Sequence, residues 1–255
     1  MAGVRRAPAI VLAMTRMTPL SNSLHGNMGW TPHLSKPAQG ATSVVRLCLD
    51  EVPIFAIRMP VVFRVASGRA QPVIPVGVLQ AGETALVGTG GDWRPRAVPF
   101  DLRRGPFEVL RTEGRDVVYV DEEKLVSSAS AKAPLFDGKG ALHAETAAHL
   151  SQLSAWGRSF RSAERAATLL LQAELLSAWP KGGAGLYVVA SDRLGAVAGE
   201  TLAKLHADGA LRLAHASDLS LGMIEARPVA ANNARSSTVA PEDTAFLKAL
   251  REEFS

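Results

Sequence analysis

Gly185–Leu213, GLYVVASDRLGAVAGETLAKLHADGALRL, is the stretch on which the reading of the fold turns. Its LYVV run, the leucine-bearing segment after it and the closing ALRL run read as strand, helix and strand. Leu194, Val197, Leu202 and Leu205 fall on one helical face, Ser191 or Asp192 is placed to cap the helix, and Gly209 is placed to end it. Two such strands in one sheet would run parallel through a right-handed crossover. Units of this kind often carry a nucleotide, but here the glycine run GGAG at Gly182 precedes the first strand instead of following it, the wrong order for a dinucleotide. The unit is therefore expected to supply core and sheet, with Leu202 and Leu205 both buried.

Ahead of it lies a helical segment from Leu142 to Trp179. Leu150, Leu153, Trp156, Phe160, Ala163, Ala167 and Leu170 recur at spacings of three and four, one apolar stripe, with Gly157 placed to bend or divide the helix. Earlier still, PVVFRVA, VIPVGVL, ETALVG, FEVLR and DVVYVD are short, β-branched and separated by turn residues, which predicts a mostly antiparallel sheet between Pro60 and Asp121. The Pro- and Gly-rich stretch GTGGDWRPRAVPFDLRRGPF interrupts it as a long loop, a length that more often serves binding than connection. Ala41–Val52 fits a strand or a short helix equally. Thr18–Gln39 reads as an extended arm with little regular structure, whose Met28 and Trp30 dock on the body. The fold class expected is α+β: an antiparallel sheet from the N-terminal half packed on a long helical segment, with a C-terminal strand–helix–strand unit.

The domain organisation expected is a leading extension over residues 1–16, one domain over 17–229, and a linker with a short terminal helix over 230–255. The leading MAGVRRAPAIVLAMTRM has a short apolar run but no small-residue cleavage site, so it is an incomplete export signal, and it is expected to be dispensable with Met17 as the natural start.

Composition excludes several function classes. Hydrophobic residues make up 47% and charged ones 20% of 255 residues, which describes a folding globular chain. The net charge of +4 is spread along the sequence and aromatics are only 5%, so neither a phosphate-tracking basic face nor a stacking platform for nucleic acid is present. No segment reaches the apolar length of a transmembrane helix. A single cysteine, Cys48, sits among apolar residues and reads as a buried hydrophobe.

Chemistry-bearing patterns are weak. GTGG lacks the Lys-Ser/Thr of a phosphate loop, and no Gly-x-Ser-x-Gly elbow occurs. In HAETAAH, Glu145 and His149 share a helical face at i,i+4 but have no third ligand, so they read as surface residues and no metal is expected. His206 and His215 read as structural, and Glu122 and Glu123 as a solvated turn. No catalytic residue and no cofactor is assigned. One loop stands out: in GDWRPRAVPFDLRRG, Trp93 offers a stacking face and Arg103 or Arg104 a fork for a carboxylate, with His206 as a candidate neighbour.

Taken in order, MTPLSNSLHGN, PVVF, VPFDLRRGPFEV, VVYVDEEKL, PLFDGKG, the opening stretch and SLGMI resemble the blocks of the bacterial SapC family, over roughly Thr18 to Ala226. Arg103, Arg104, Tyr187 and His206 match that pattern, and Tyr187 joins the candidate ligand-binding residues on this ground. Two positions depart from it: Ala190 stands where the family commonly has Asp, and Ser217 where it commonly has His. The family is named for a surface-layer-associated protein and is distinct from a peptide permease of the same name. The resemblance implies a gene context with TonB-dependent receptors, halogenase-like proteins and cupin-like oxygenases.

The expectation is a non-catalytic binding or accessory protein of an envelope-associated nutrient-uptake or surface-layer system, with a protein partner or small ligand. The alternative is an enzyme or enzyme partner acting on a peptide or aromatic small molecule. The expected location is cytoplasmic, with the periplasm or envelope as the alternative.

Overall fold

The computed structural model describes residues 17–37, 40, 43–77, 86–88, 90–182 and 185–225, with side chains described through Gly222. The leading extension, the linker and the terminal helix expected from the sequence lie outside these residues, as does the first half of ETALVG. All elements below belong to one unit, which ends at Ile224, save the last residue of α7.

In chain order, the arm folds as β1 (Met17–Pro19), α1 (Asn22–His25) and β2 (Met28–Trp30). Then come β3 (Val45–Arg46), α2 (Val52–Ala56), β4 (Val62–Ala66) and β5 (Arg69–Ile74). A second group holds α3 (Phe100–Arg103), β6 (Phe107–Thr112), β7 (Arg115–Asp121), β8 (Val126–Ser127) and β9 (Ala133–Pro134). The long helix α4 (Ala144–Gln172) leads to β10 (Leu176–Ala178), β11 (Leu186–Val189), α5 (Ser191–Leu194), α6 (Gly199–Ala207) and α7 (Ala210–Glu225). The antiparallel strands and the long helix agree with the α+β class read from the sequence.

Among the described residues the strands divide into three sheets, ordered β10-β11-β4-β5-β3, β1-β7-β6 and β8-β2-β9, and every named pairing is antiparallel. The single sheet expected between Pro60 and Asp121 is thus two: β4 and β5 belong to the first, β6 and β7 to the second. The arm is not unstructured either, because β1 pairs with β7 and β2 is the central strand of the third sheet. Trp30 is buried at 4% exposure and Met28 packs beside it, as their docking role requires. Ala41–Val52 resolves into both alternatives, a strand at Val45–Arg46 and a helix starting at Val52.

Helix α4 runs unbroken through Gly157, and its stripe faces inward, with Leu150, Leu153, Trp156, Ala163, Ala167 and Leu170 buried and Phe160 partly buried. The stripe serves two cores. Ala166, Ala167 and Leu170 pack in the cluster with Val61, Phe63 and Ile74, whereas Leu150, Leu153 and Trp156 pack with Trp30, Phe107 and Leu135. The helix is pinned to the first sheet where Thr168 Oγ1 accepts the Ala70 N–H at 3.1 Å.

The decisive stretch departs from its expected form. β11 pairs antiparallel with both β10 and β4, and the ALRL run begins helix α7, so there is no parallel crossover unit. Gly209 does end a helix: it takes φ +75 between α6 and α7, and a Cβ there would lie 3.3 Å from Leu49 Cδ2. Leu205 is 1% exposed, but Leu202, one turn earlier in the same helix, is 41% exposed, because α6 meets the core only through its C-terminal turn, where Leu205 is its one buried residue. Ser191 and Asp192 lie inside α5 with Ala190 at its cap, and Ser191 Oγ bonds Asp218 Oδ1 at 2.6 Å. Helix α7 docks through hydroxyls as well as leucines. Ser217 Oγ donates to the Val61 carbonyl at 2.6 Å, and Ser220 Oγ accepts the Val61 N–H at 2.9 Å.

Candidate functional site

The turn between α3 and β6 carries two adjacent arginines that face different clefts. Arg104 lines a smaller cleft of about 170 Å³, together with Arg46, Asp101, Glu108 and Gly157. Its charges satisfy one another. Asp101 Oδ1 accepts from Arg46 Nε at 3.0 Å and Nη2 at 2.6 Å, its Oδ2 accepts the Arg46 backbone N–H at 3.2 Å, and Glu108 takes Arg104. Burial pushes the Asp101 carboxyl up, but the guanidinia of Arg46 and Arg104 outweigh it and hold the group below the usual carboxylate range. This is a closed ionic network tying β3 to the α3–β6 turn.

Arg103 lines the larger cleft, about 580 Å³, whose walls include Trp30, Leu34, Glu145, His149 and Trp156. Its guanidinium lies 5.4 Å from the centre of the Phe100 ring, and Phe100 stacks on Trp156 at 4.4 Å and 12°. The Trp30 ring meets His149 at 4.5 Å and Phe107 edge-on at 5.1 Å. Trp30 can approach this closely because Gly105, with φ +64, has no side chain: a Cβ there would sit 3.0 Å from Trp30 Cζ3. The Trp30 indole N–H donates to Thr146 Oγ1 at 3.1 Å, and that hydroxyl donates to the Pro134 carbonyl at 2.7 Å, so the first turn of α4 locks the ring in place.

His149 donates Nε2–H to the Arg104 carbonyl at 3.2 Å, which leaves Nδ1 with the lone pair. Burial lowers its pKa, and the carbonyl bond only partly offsets this, so the ring is neutral at neutral pH. The cleft therefore combines aromatic faces, two imidazoles, His33 and the neutral His149, one guanidinium and one carboxylate.

Of the residues singled out in the sequence, Arg103 and Arg104 reach clefts, though different ones. Trp93, Tyr187 and His206 line neither. Trp93 bridges to Val87 and spends its indole N–H on the Ala97 carbonyl at 2.8 Å. Tyr187 sits in β11 opposite Phe63, packed on the first core, and His206 is exposed on α6. A tryptophan, an arginine and a histidine do meet, but they are Trp30 or Trp156, Arg103 and His149. The i,i+4 pair Glu145 and His149, read as surface residues, both line the larger cleft. What the sequence concealed is Trp30, which arrives from β2, more than a hundred residues away in the chain.

Two other polar groups are structural. Buried Glu51 accepts the N–H groups of Phe100 at 2.7 Å and Cys48 at 3.2 Å, and burial raises its pKa. Cys48 is fully buried with its thiol pushed up to about 11 by burial, which makes it a poor nucleophile. Near β1, Thr18 Oγ1 donates to Glu122 at 2.7 Å and lies 3.4 Å from His25 Nε2. The carboxylate there takes the hydroxyl proton itself, so a nucleophile–base–orienter order is not formed. Among the described residues no group of three or more metal-ligating side chains occurs, and no helix is long and apolar enough to cross a membrane.

The SapC family model matches residues 20–226. The chain belongs to the SapC family. No curated protein and no solved structure matches it at a significant level. Within this SapC chain Ala190 and Ser217 are both buried and lie next in sequence to the partners of the Ser191–Asp218 hydrogen bond.

Proposed function

We propose that this SapC-family chain is a non-catalytic binding or accessory protein of a bacterial envelope-associated uptake or surface-layer system, acting in the cytoplasm or at the envelope, and that it holds a small ligand in the larger cleft. The observation that supports this reading is the cleft itself. Its volume of about 580 Å³ falls in the range of small-molecule sites, its walls are aromatic, and a few polar groups converge on it. His149 has its N–H committed to a backbone carbonyl, with no carboxylate orienting it and no hydroxyl or thiol bonded to it among the described residues.

A second reading, an enzyme acting on a peptide or aromatic small molecule at the same cleft, rests on the neutral state of His149, which suits a general base.

The test is a thermal-shift screen of the full chain against a metabolite set, because a ligand that binds only the folded state raises the melting temperature. Compounds that do so are expected to lose the effect in Gln152→Trp, which fills the cleft from an exposed wall position. An absence of shifts, or shifts untouched by that substitution, contradicts the cleft as the binding site. Turnover of a bound compound favours the enzyme.

A further inference from the structure

Three arginines surround the α3–β6 turn, and their charge states differ in partnership. Arg46 and Arg104 are neutralised by Asp101 and Glu108. Arg103 makes no ion pair among the described residues; its guanidinium rests on the Phe100 ring, which orients it, and its charge acts on the buried Glu51 carboxylate without a contact to it within ion-pair distance. On another wall of the same cleft Glu145, exposed in the first turn of α4, also makes no ion pair among the described residues. Among the described residues the cleft thus holds a cation, Arg103, and an anion, Glu145, neither of them in an ion pair, together with His33, His149 and the apolar surfaces of Trp30, Trp156 and Leu34.

Resting on the reading that the larger cleft binds a ligand, we propose that the ligand is a zwitterion with an apolar body, an amino acid or short peptide, its carboxylate on Arg103 and its ammonium on Glu145. A simple anion would satisfy Arg103 while being repelled by Glu145, a simple cation would do the reverse, and a neutral compound would leave both charges partly desolvated and unmatched. The planar fork of Arg103 suits a carboxylate, and stacking on Phe100 keeps that fork in place. The neutral His149 adds no charge to either end. A volume of about 580 Å³ admits a body as large as a dipeptide.

Titration calorimetry of the full chain tests this with L-phenylalanine and L-leucyl-L-phenylalanine as zwitterions of two lengths, 3-phenylpropionate as the carboxylate alone and phenethylamine as the ammonium alone. At least one zwitterion is expected to bind, with each single-charge analogue weaker by about tenfold or more, the size of one lost charge-assisted hydrogen bond. Arg103→Gln should remove the advantage over phenethylamine, and Glu145→Gln the advantage over 3-phenylpropionate. Both variants should keep the melting temperature of the ligand-free chain, since neither group is buried or ion-paired. If an analogue with one charge binds as well as the zwitterions, the ligand class is overturned and the cleft remains a binding site. If none of the four binds, the ligand class is likewise overturned, and the cleft then stands or falls on the metabolite screen with Gln152→Trp.

Discussion

Around its C-terminal half α4 presents Ala166, Ala167 and Leu170 to the five-stranded sheet and the C-terminal helices, whereas around its N-terminal half Leu150, Leu153 and Trp156 meet Trp30 and Phe107. Small residues let helix and sheet approach closely in the first case. In the second, large rings meet across clefts and leave concave surface. The same contrast recurs at a finer scale in Arg104 and Arg103, neighbours in sequence of which one is enclosed in an ionic network and the other rests on the Phe100 ring without an ion pair among the described residues. Structure and ligand recognition are thus divided along one helix and between two adjacent side chains.

The close-packed side should be the more sensitive to truncation. Leu205→Ala, at a fully packed position of that core, is expected to cost about 2–5 kcal/mol, whereas Leu202→Ala on the same helix should change stability by less than about 0.5 kcal/mol. Urea unfolding of the two variants checks this. Equal effects would mean that α6 is not seated as described.

On the ionic network, Asp101→Asn leaves Arg46 and Arg104 without their shared acceptor. The expected cost is about 2–4 kcal/mol, below the full penalty of breaking a buried pair because both guanidinia keep about a third of their exposure. The same carboxyl predicts a pH dependence. Its folded pKa is depressed below its unfolded value, so its contribution is complete above about pH 4 and is lost as the pH falls through the folded value. Unfolding measured as a function of pH should therefore show a shallower acid limb in Asp101→Asn than in the natural chain. An unchanged limb would show that Asp101 is not the group responsible.

Gly157 offers a smaller and opposite effect. It lies mid-helix where a Cβ would meet only Arg161 Nη1, at 3.6 Å, an ordinary contact. Gly157→Ala should stabilise the chain by about 1 kcal/mol through helix propensity. A loss of stability would mean that the smaller cleft must stay open along α4.

Much of this division was legible in the sequence. The stripe from Leu150 to Leu170 spans enough turns for its period to be unambiguous, and the runs around Phe63, Phe107 and Val118 carry enough β-branching to read as strands. ALRL was too short for its period to decide between strand and helix. Extending the window would have met Ser217 and Ser220, whose hydroxyls are buried on the Val61 backbone, so the inward face of α7 does not look apolar. The candidate site was legible only in Arg103. Its other walls come together through a long-range contact between β2 and α4, made possible by Gly105, and no local pattern of residues encodes such a contact.

The division between the two arginines is tested most directly by comparing Arg103→Gln with Arg104→Gln for both unfolding free energy and binding of whichever probe the larger cleft accepts. Arg104→Gln should lower stability by about 1–3 kcal/mol while leaving that binding in place, because it strips a buried carboxylate network of a partner. Arg103→Gln should leave stability within about 0.5 kcal/mol of the natural chain and weaken binding by about tenfold or more. The reverse pattern, or two variants that behave alike, would contradict the assignment of one arginine to the fold and the other to the ligand.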